Sequence, residues 1–169
     1  MLAEISRNLP DAAPPPGLGF VLATSAVGAG AGALFQTRIG PRWIDSGLVI
    51  AVPNGLAGFP GLLRYAGLQL DAAKFGPFQL LQCLDDPAVA FLVFPDPPRA
   101  SLYAPEHVAQ ACADESFDRT QTALLVIATL RPGQGMTLNL RAPVLLETRR
   151  RVAVQHIMLD GEYPIRYSP

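Results

Sequence analysis

Apolar residues in this chain gather in short runs broken by proline and glycine, and only one stretch repeats at helical spacing. Arg42–Asp45 and Leu48–Val52 flank Ser46-Gly47, the pattern of two strands joined by a tight hairpin. Asn54–Pro60 reads as a turn and Pro60–Tyr65 as one helical turn. Ala66–Leu70 and Phe78–Leu84 read as strands around a loop at Gly76-Pro77. Val89–Phe94 is a continuous apolar run of strand length, and Pro95-Asp96-Pro97-Pro98 turns the chain after it. Pro105–Ala113 is the helix: Pro105 suits a first-turn position, and Val108, Ala109 and Cys112 share a face. Thr122–Leu130, dense in β-branched and aliphatic residues, predicts a central strand, with a hairpin loop at residues 131–135 leading to Met136–Leu140. Pro143–Glu147 and Arg151–Leu159 form a last hairpin around Thr148–Arg150.

Many short strands, frequent turns and one short helix predict a mostly β fold, a small antiparallel β-barrel-like domain. Closing the sheet also limits the open strand edges through which soluble β proteins pair with one another.

Residues 1–35 stand apart. Pro14-Pro15-Pro16 precedes a weakly apolar stretch, Gly17–Phe35, that carries no charged residue. Gly28, Gly30 and Gly32 leave it poor in lipophilic side chains, and Glu4, Arg7 and Asp11 make a poor export signal. The segment reads as a flexible leader or an early-assigned start, ahead of a domain over residues 36–169.

Composition narrows the class. Half of the 169 residues are hydrophobic and 16% are charged, which favours a single globular domain over disorder. A net charge of −1 argues against broad binding to nucleic acid or to an anionic membrane. Cys83 and Cys112, the only cysteines, form no Cys-x-x-Cys pair and read as buried free thiols of a reducing cytoplasm.

Reactive chemistry is poorly represented. Asp85-Asp86 could serve acid–base catalysis or a metal, yet adjacent strand residues point to opposite faces. Followed by Pro87, the pair reads first as a turn in which one carboxylate caps backbone N–H groups. His107 and His156 lack the close spacing of a zinc site with either cysteine, and no Gly-x-Ser-x-Gly nucleophile motif occurs. Gly28-Ala29-Gly30-Ala31-Gly32 imitates part of a dinucleotide fingerprint without the strand that must precede it. Arg149-Arg150-Arg151, the basic cluster, has no interleaved aromatics for stacking bases and reads as a solvated turn or a protein-contact rim. Two readings of these residues stay open: a small β-barrel RNA-binding module using Arg149–Arg151, and, further back, a metal-dependent enzyme using Asp85, Asp86, His107 and His156.

The order of several motifs carries more. Gly58-Phe59-Pro60-Gly61 is followed by Leu81-Gln82-Cys83-Leu84-Asp85-Asp86-Pro87, then by Asn139-Leu140-Arg141-Ala142-Pro143, Gln155 and Tyr163-Pro164-Ile165-Arg166. This succession resembles the FliW family of bacterial flagellar assembly factors over about residues 36–167. Ala57, Cys83 and Val144–Glu147 depart from the family pattern.

The resemblance implies a compact β-barrel-like fold, no catalysis and no cofactor. It also implies two protein partners, newly made flagellin and the RNA-binding repressor CsrA. Flagellin would compete for the same protein that sequesters CsrA, so that flagellin level sets flagellin translation. No coiled-coil pattern or dimerisation stripe appears, so a monomer when free is expected, and the charge and cysteine readings add a cytoplasmic protein with no direct contact to nucleic acid or membrane. Gly58, Phe59, Pro60, Gln82, Pro87, Asn139 and Pro143 are expected to be scaffold. The candidate partner-binding residues are Asp85, Asp86, Glu162, Tyr163 and Arg166, whose acidic members would suit a basic repressor.

Overall fold

A computed structural model describes residues 22–27, 34–39, 42–70, 72–86, 88–131, 135–159 and 162–169, with side chains from residue 49 onward, Lys74 excepted. Its strands are β1 (Leu22–Val27), β2 (Leu34–Ile39), β3 (Arg42–Ala51), β4 (Arg64–Gln69), β5 (Gln79–Cys83), β6 (Ala90–Pro95), β7 (Thr122–Arg131), β8 (Gly135–Leu138), β9 (Val144–Glu147) and β10 (Val152–Gln155). Two helices, α1 (Ala72–Phe75) and α2 (Pro105–Asp114), and a 3-10 turn at Arg119–Gln121 complete it.

Following the pairings around gives a closed ring: β3, β4, β5, β6, β7, β9, β10 and back to β3. All junctions are antiparallel except the last, where β10 meets β3 in parallel through the single pair Val152 and Ala51. β8 adds to the end of β7, while β2 and then β1 extend from the first half of β3.

Strand alternation sorts the apolar residues into two layers. One face packs Val52, Tyr65, Leu81, Cys83, Val93, Leu125, Val144 and Ala153 into the barrel interior, drawing on every region of the ring. The other face packs Leu68, Leu80, Leu92, Leu124, Val126 and Leu145 outward against Val108, Ala111 and Cys112 of α2. The two cysteines thus lie in different layers, buried and unpaired. α2 starts with Pro105 in its first turn, and Val108, Ala111 and Cys112 are its buried stripe, whereas Ala109, expected on that face, is exposed.

The expected barrel with one substantial helix is the observed fold, and the boundaries of β5, β6, α2, β7 and β9 fall within one or two residues of expectation. Three local readings are corrected. Residues 42–51 form one strand, not a hairpin: the register against β2 shifts between Leu34 and Phe35, which pair with Leu48 and Ser46, so Gly47 is an extra residue of the ladder instead of a turn. Residues 60–65 form no helical turn, because the Asp85 carboxylate takes the N–H groups of Leu63 and Arg64 and β4 begins there. β10 ends at Gln155, although extended chain continues beside residues 141–143 through His156 N to Pro143 O and Met158 N to Arg141 O, both 2.9 Å. The short α1, closed by Gly76 at φ +59°, was not expected.

The expectation of a flexible leader falls on residues outside those described, apart from the backbone of β1 and the first two residues of β2. The scaffold position Pro87 also lies outside them. No helix among the described residues is long and apolar enough to cross a membrane.

Candidate functional site

Asp85 and Asp86 form the turn between β5 and β6, as the proline after them implies. Asp85 Oδ2 accepts from Leu63 N at 2.7 Å and Arg64 N at 2.9 Å, and its Oδ1 accepts from Arg64 Nε at 2.6 Å. Asp86 Oδ1 accepts from Ala88 N at 2.9 Å, a local Asx turn. Burial pushes the Asp85 carboxyl upward, but the Arg64 guanidinium and the two backbone N–H groups outweigh it, so the group ionises below the usual carboxylate range.

Two further carboxyls ionise low. Asp118 is held down by the hydroxyl and N–H of Thr120. Glu147 is pushed up by burial and brought lower by Arg150 N, the Arg150 guanidinium and Arg149 N. With folded values below unfolded ones, their stabilisation is complete above the unfolded carboxylate range of about 4 and is lost as pH falls through the folded values. Thermal unfolding across pH should show a flat midpoint above about pH 5 and a decline below about pH 4, with a shallower decline in the Asp85→Asn chain.

Glu162, Tyr163 and Arg166 lie on the C-terminal segment. That segment runs beside residues 138–140, with Leu138 N to Tyr167 O at 2.8 Å and Leu140 N to Pro164 O at 3.0 Å. Glu162 and Arg166 are exposed. Tyr163 is half-buried: its hydroxyl accepts from Ala104 N at 3.0 Å and lies 2.8 Å from His107 Nδ1, while its ring packs 4.9 Å from that of Tyr103. Tyr163 therefore fastens the C-terminal strap to the start of α2. Tyr163→Phe, losing the hydroxyl contacts, should cost roughly 1–2 kcal/mol, and Tyr163→Ala, losing the ring too, roughly 3–4 kcal/mol, both read by chemical denaturation. Of the five candidate residues, Asp85 and Asp86 thus belong to the β5–β6 turn, and Glu162, Tyr163 and Arg166 to the C-terminal segment.

The expected scaffold positions make the following contacts. Gly58 sits at φ +87°, and Phe59 packs edge-on against Phe91 at 5.5 Å. Pro60, exposed, lies in the next turn, which Leu62 N closes on Phe59 O at 3.2 Å. Gln82 is fully buried and donates to Cys83 O at 2.8 Å and Val89 O at 3.1 Å, pinning the β5–β6 connection. Asn139 N donates to Ile127 O, and Pro143 O accepts from His156 N, each at 2.9 Å.

The groups weighed for other chemistry are scattered. His107 meets Tyr163, and His156 Nδ1 lies 2.8 Å from Glu115 Oε1. Among the described residues no cluster of three His, Cys, Asp or Glu side chains could hold a metal ion. In the basic turn, Arg150 donates to Glu147 and lies 5.2 Å over the Phe117 ring, so this arginine is engaged within the chain.

One feature escaped the sequence reading. Ile157, Leu159 and Ile165 are 48%, 78% and 66% exposed, three large apolar side chains within nine positions of the C-terminal strap. They adjoin Glu162 and Arg166 in sequence. The alternation Ile157-Met158-Leu159, with Met158 only 3% exposed, was the available signal: one face of this stretch must point away from the core.

A closed seven-stranded ring, covered on one wall by a helix and strapped by its own C terminus, defines a small β-barrel domain. A family model described as FliW protein matches residues 33–169. The flagellar assembly factor FliW of Geotalea uraniireducens is 35% identical over 128 residues, 75% of this chain and 76% of the relative. That of Syntrophus aciditrophicus is 33% identical over 134 residues, 78% of this chain and 84% of the relative. A crystal structure of the flagellar assembly factor FliW has the same fold, with a TM-score of 0.55 and 24% identity over 70% of this chain and 83% of that one. The chain belongs to the FliW family.

Proposed function

We propose that this chain is a non-catalytic flagellar assembly factor that works by binding proteins in the cytoplasm, with flagellin and CsrA as its partners. Family membership with relatives named flagellar assembly factors supports the flagellar role. Ile157, Leu159 and Ile165, three large apolar side chains left exposed within nine positions of the C-terminal segment, are the structural observation that supports a binding surface there. Flagellin and CsrA come from the family resemblance. Mutually exclusive binding needs only linkage: flagellin that occupies the protein lowers the pool free to hold CsrA. The exposed carboxylate of Glu162, with Asp86 at the other location, would steer a basic repressor toward the surface.

Size-exclusion chromatography with light scattering on the full chain, alone and mixed with purified CsrA or monomeric flagellin, tests the proposal. The expected result is a monomer alone and a stable complex with each partner. A folded chain that co-elutes with neither would overturn it.

A further inference from the structure

Residues 53–62 leave the barrel wall after Val52 and return at Leu63, where the two ends meet: Val52 N donates to Leu63 O at 2.7 Å. Within the excursion, Gly55 N bonds Val52 O, Phe59 N bonds Leu56 O, and Leu62 N bonds Phe59 O. This is the form of an Ω-loop, a compact excursion with closed ends. Among the described residues, one hydrogen bond ties residues 53–62 to the barrel beyond their neck: Ala57 N donates to Gln155 Oε1 at 2.7 Å. The other end of the same amide donates to Ala142 O at 3.2 Å, which fixes the orientation of Gln155. The remaining hold is apolar, through Leu56 and Leu62 in the interior cluster and Phe59 against Phe91.

Gln155 ends β10, the strand of the weakest junction in the ring. β10 and β3 share one residue pair. The other six junctions have three to five pairs each. The neck is fixed more firmly than the loop, because Asp85 accepts from both Leu63 N and Arg64 N.

We infer that residues 53–62 are a lid on the barrel, hinged at the Val52–Leu63 neck and latched by Gln155. Its opening lifts Leu56, only 2% exposed when closed, out of the interior cluster. The inference stands on hydrogen bonds within this chain and does not depend on which partners it has.

Residue-resolved hydrogen exchange on the full chain, followed by NMR across low urea concentrations, tests it. The amide of Ala57, the lid amide bonded to the barrel, should exchange through an opening that depends only weakly on urea, whereas amides of β5, β6 and β7 exchange with global unfolding. Replacing the latch in Gln155→Leu should speed exchange at Ala57 about 10-fold, the effect of losing one hydrogen bond, and leave the β5–β7 amides in their own class. An Ala57 amide in the wild-type chain with the same urea dependence as β5–β7 would overturn the inference. So would a Gln155→Leu chain in which exchange rises equally everywhere or nowhere.

Discussion

Gly55→Ala is expected to destabilise the fold by roughly 2–4 kcal/mol and to lower the thermal midpoint by roughly 5–15 °C in a calorimetric scan. Gly55 has φ +67°, a left-handed conformation that costs any residue with a Cβ. Here the steric cost adds to the conformational one, because a Cβ would stand 2.4 Å from Phe59 O and 2.7 Å from Pro60 Cα. Those are backbone atoms of the same turn, which cannot move without displacing Leu56 from the interior. Gly58→Ala is the control: φ is +87° but nothing lies within 4 Å of a Cβ, so only the conformational cost of roughly 1 kcal/mol applies. Equal effects at the two positions would show that the close approach at Gly55 is not what fixes the turn.

The second large effect concerns binding. Leu159→Glu combined with Ile165→Glu should weaken the flagellin complex by roughly 30-fold or more in a calorimetric titration, the consequence of placing charge in the apolar centre of an interface. Stability should change by less than about 0.5 kcal/mol, because both side chains are mostly exposed in the free chain and neither contributes to either core layer. Asp86→Arg reverses the charge at the other candidate location, giving up the Asx-turn bond from Ala88 N, and should weaken CsrA binding. Unchanged flagellin affinity in the double variant would remove the strap from the binding surface. A loss of affinity accompanied by a lower midpoint would assign these residues to the fold instead.

Local signals in the sequence reached the barrel strands better than the links between them. Val89–Phe94 between two prolines, and Pro105 ahead of Val108 and Cys112, each identify an element because the cause is local: a run of strand length, or a first-turn proline over an apolar stripe. Ser46-Gly47 misled for the same reason. A glycine pair typical of hairpins also suits an extra residue in a long strand, and only the register against β2 separates the two. That one carboxylate of Asp85-Asp86 caps backbone N–H groups was legible from the proline that follows, but that Asp85 clamps Leu63 and Arg64, some twenty residues upstream, was not. Tyr163 was read as an exposed contact residue. It meets Ala104 and His107 more than fifty positions away, a relation that spacing cannot express. The strip at Ile157, Leu159 and Ile165 was hidden because periodicity marks apolar residues without saying which are left uncovered once the chain leaves the ladder at Gln155.

The most direct test of the proposed role is a competition titration with purified components: the full chain saturated with CsrA, to which monomeric flagellin is added, followed by calorimetry and by release of CsrA to bind its RNA. The account predicts that flagellin displaces CsrA stoichiometrically and that RNA binding by CsrA returns as it does so. A ternary complex that keeps CsrA bound, or a folded chain that binds neither protein, would contradict it.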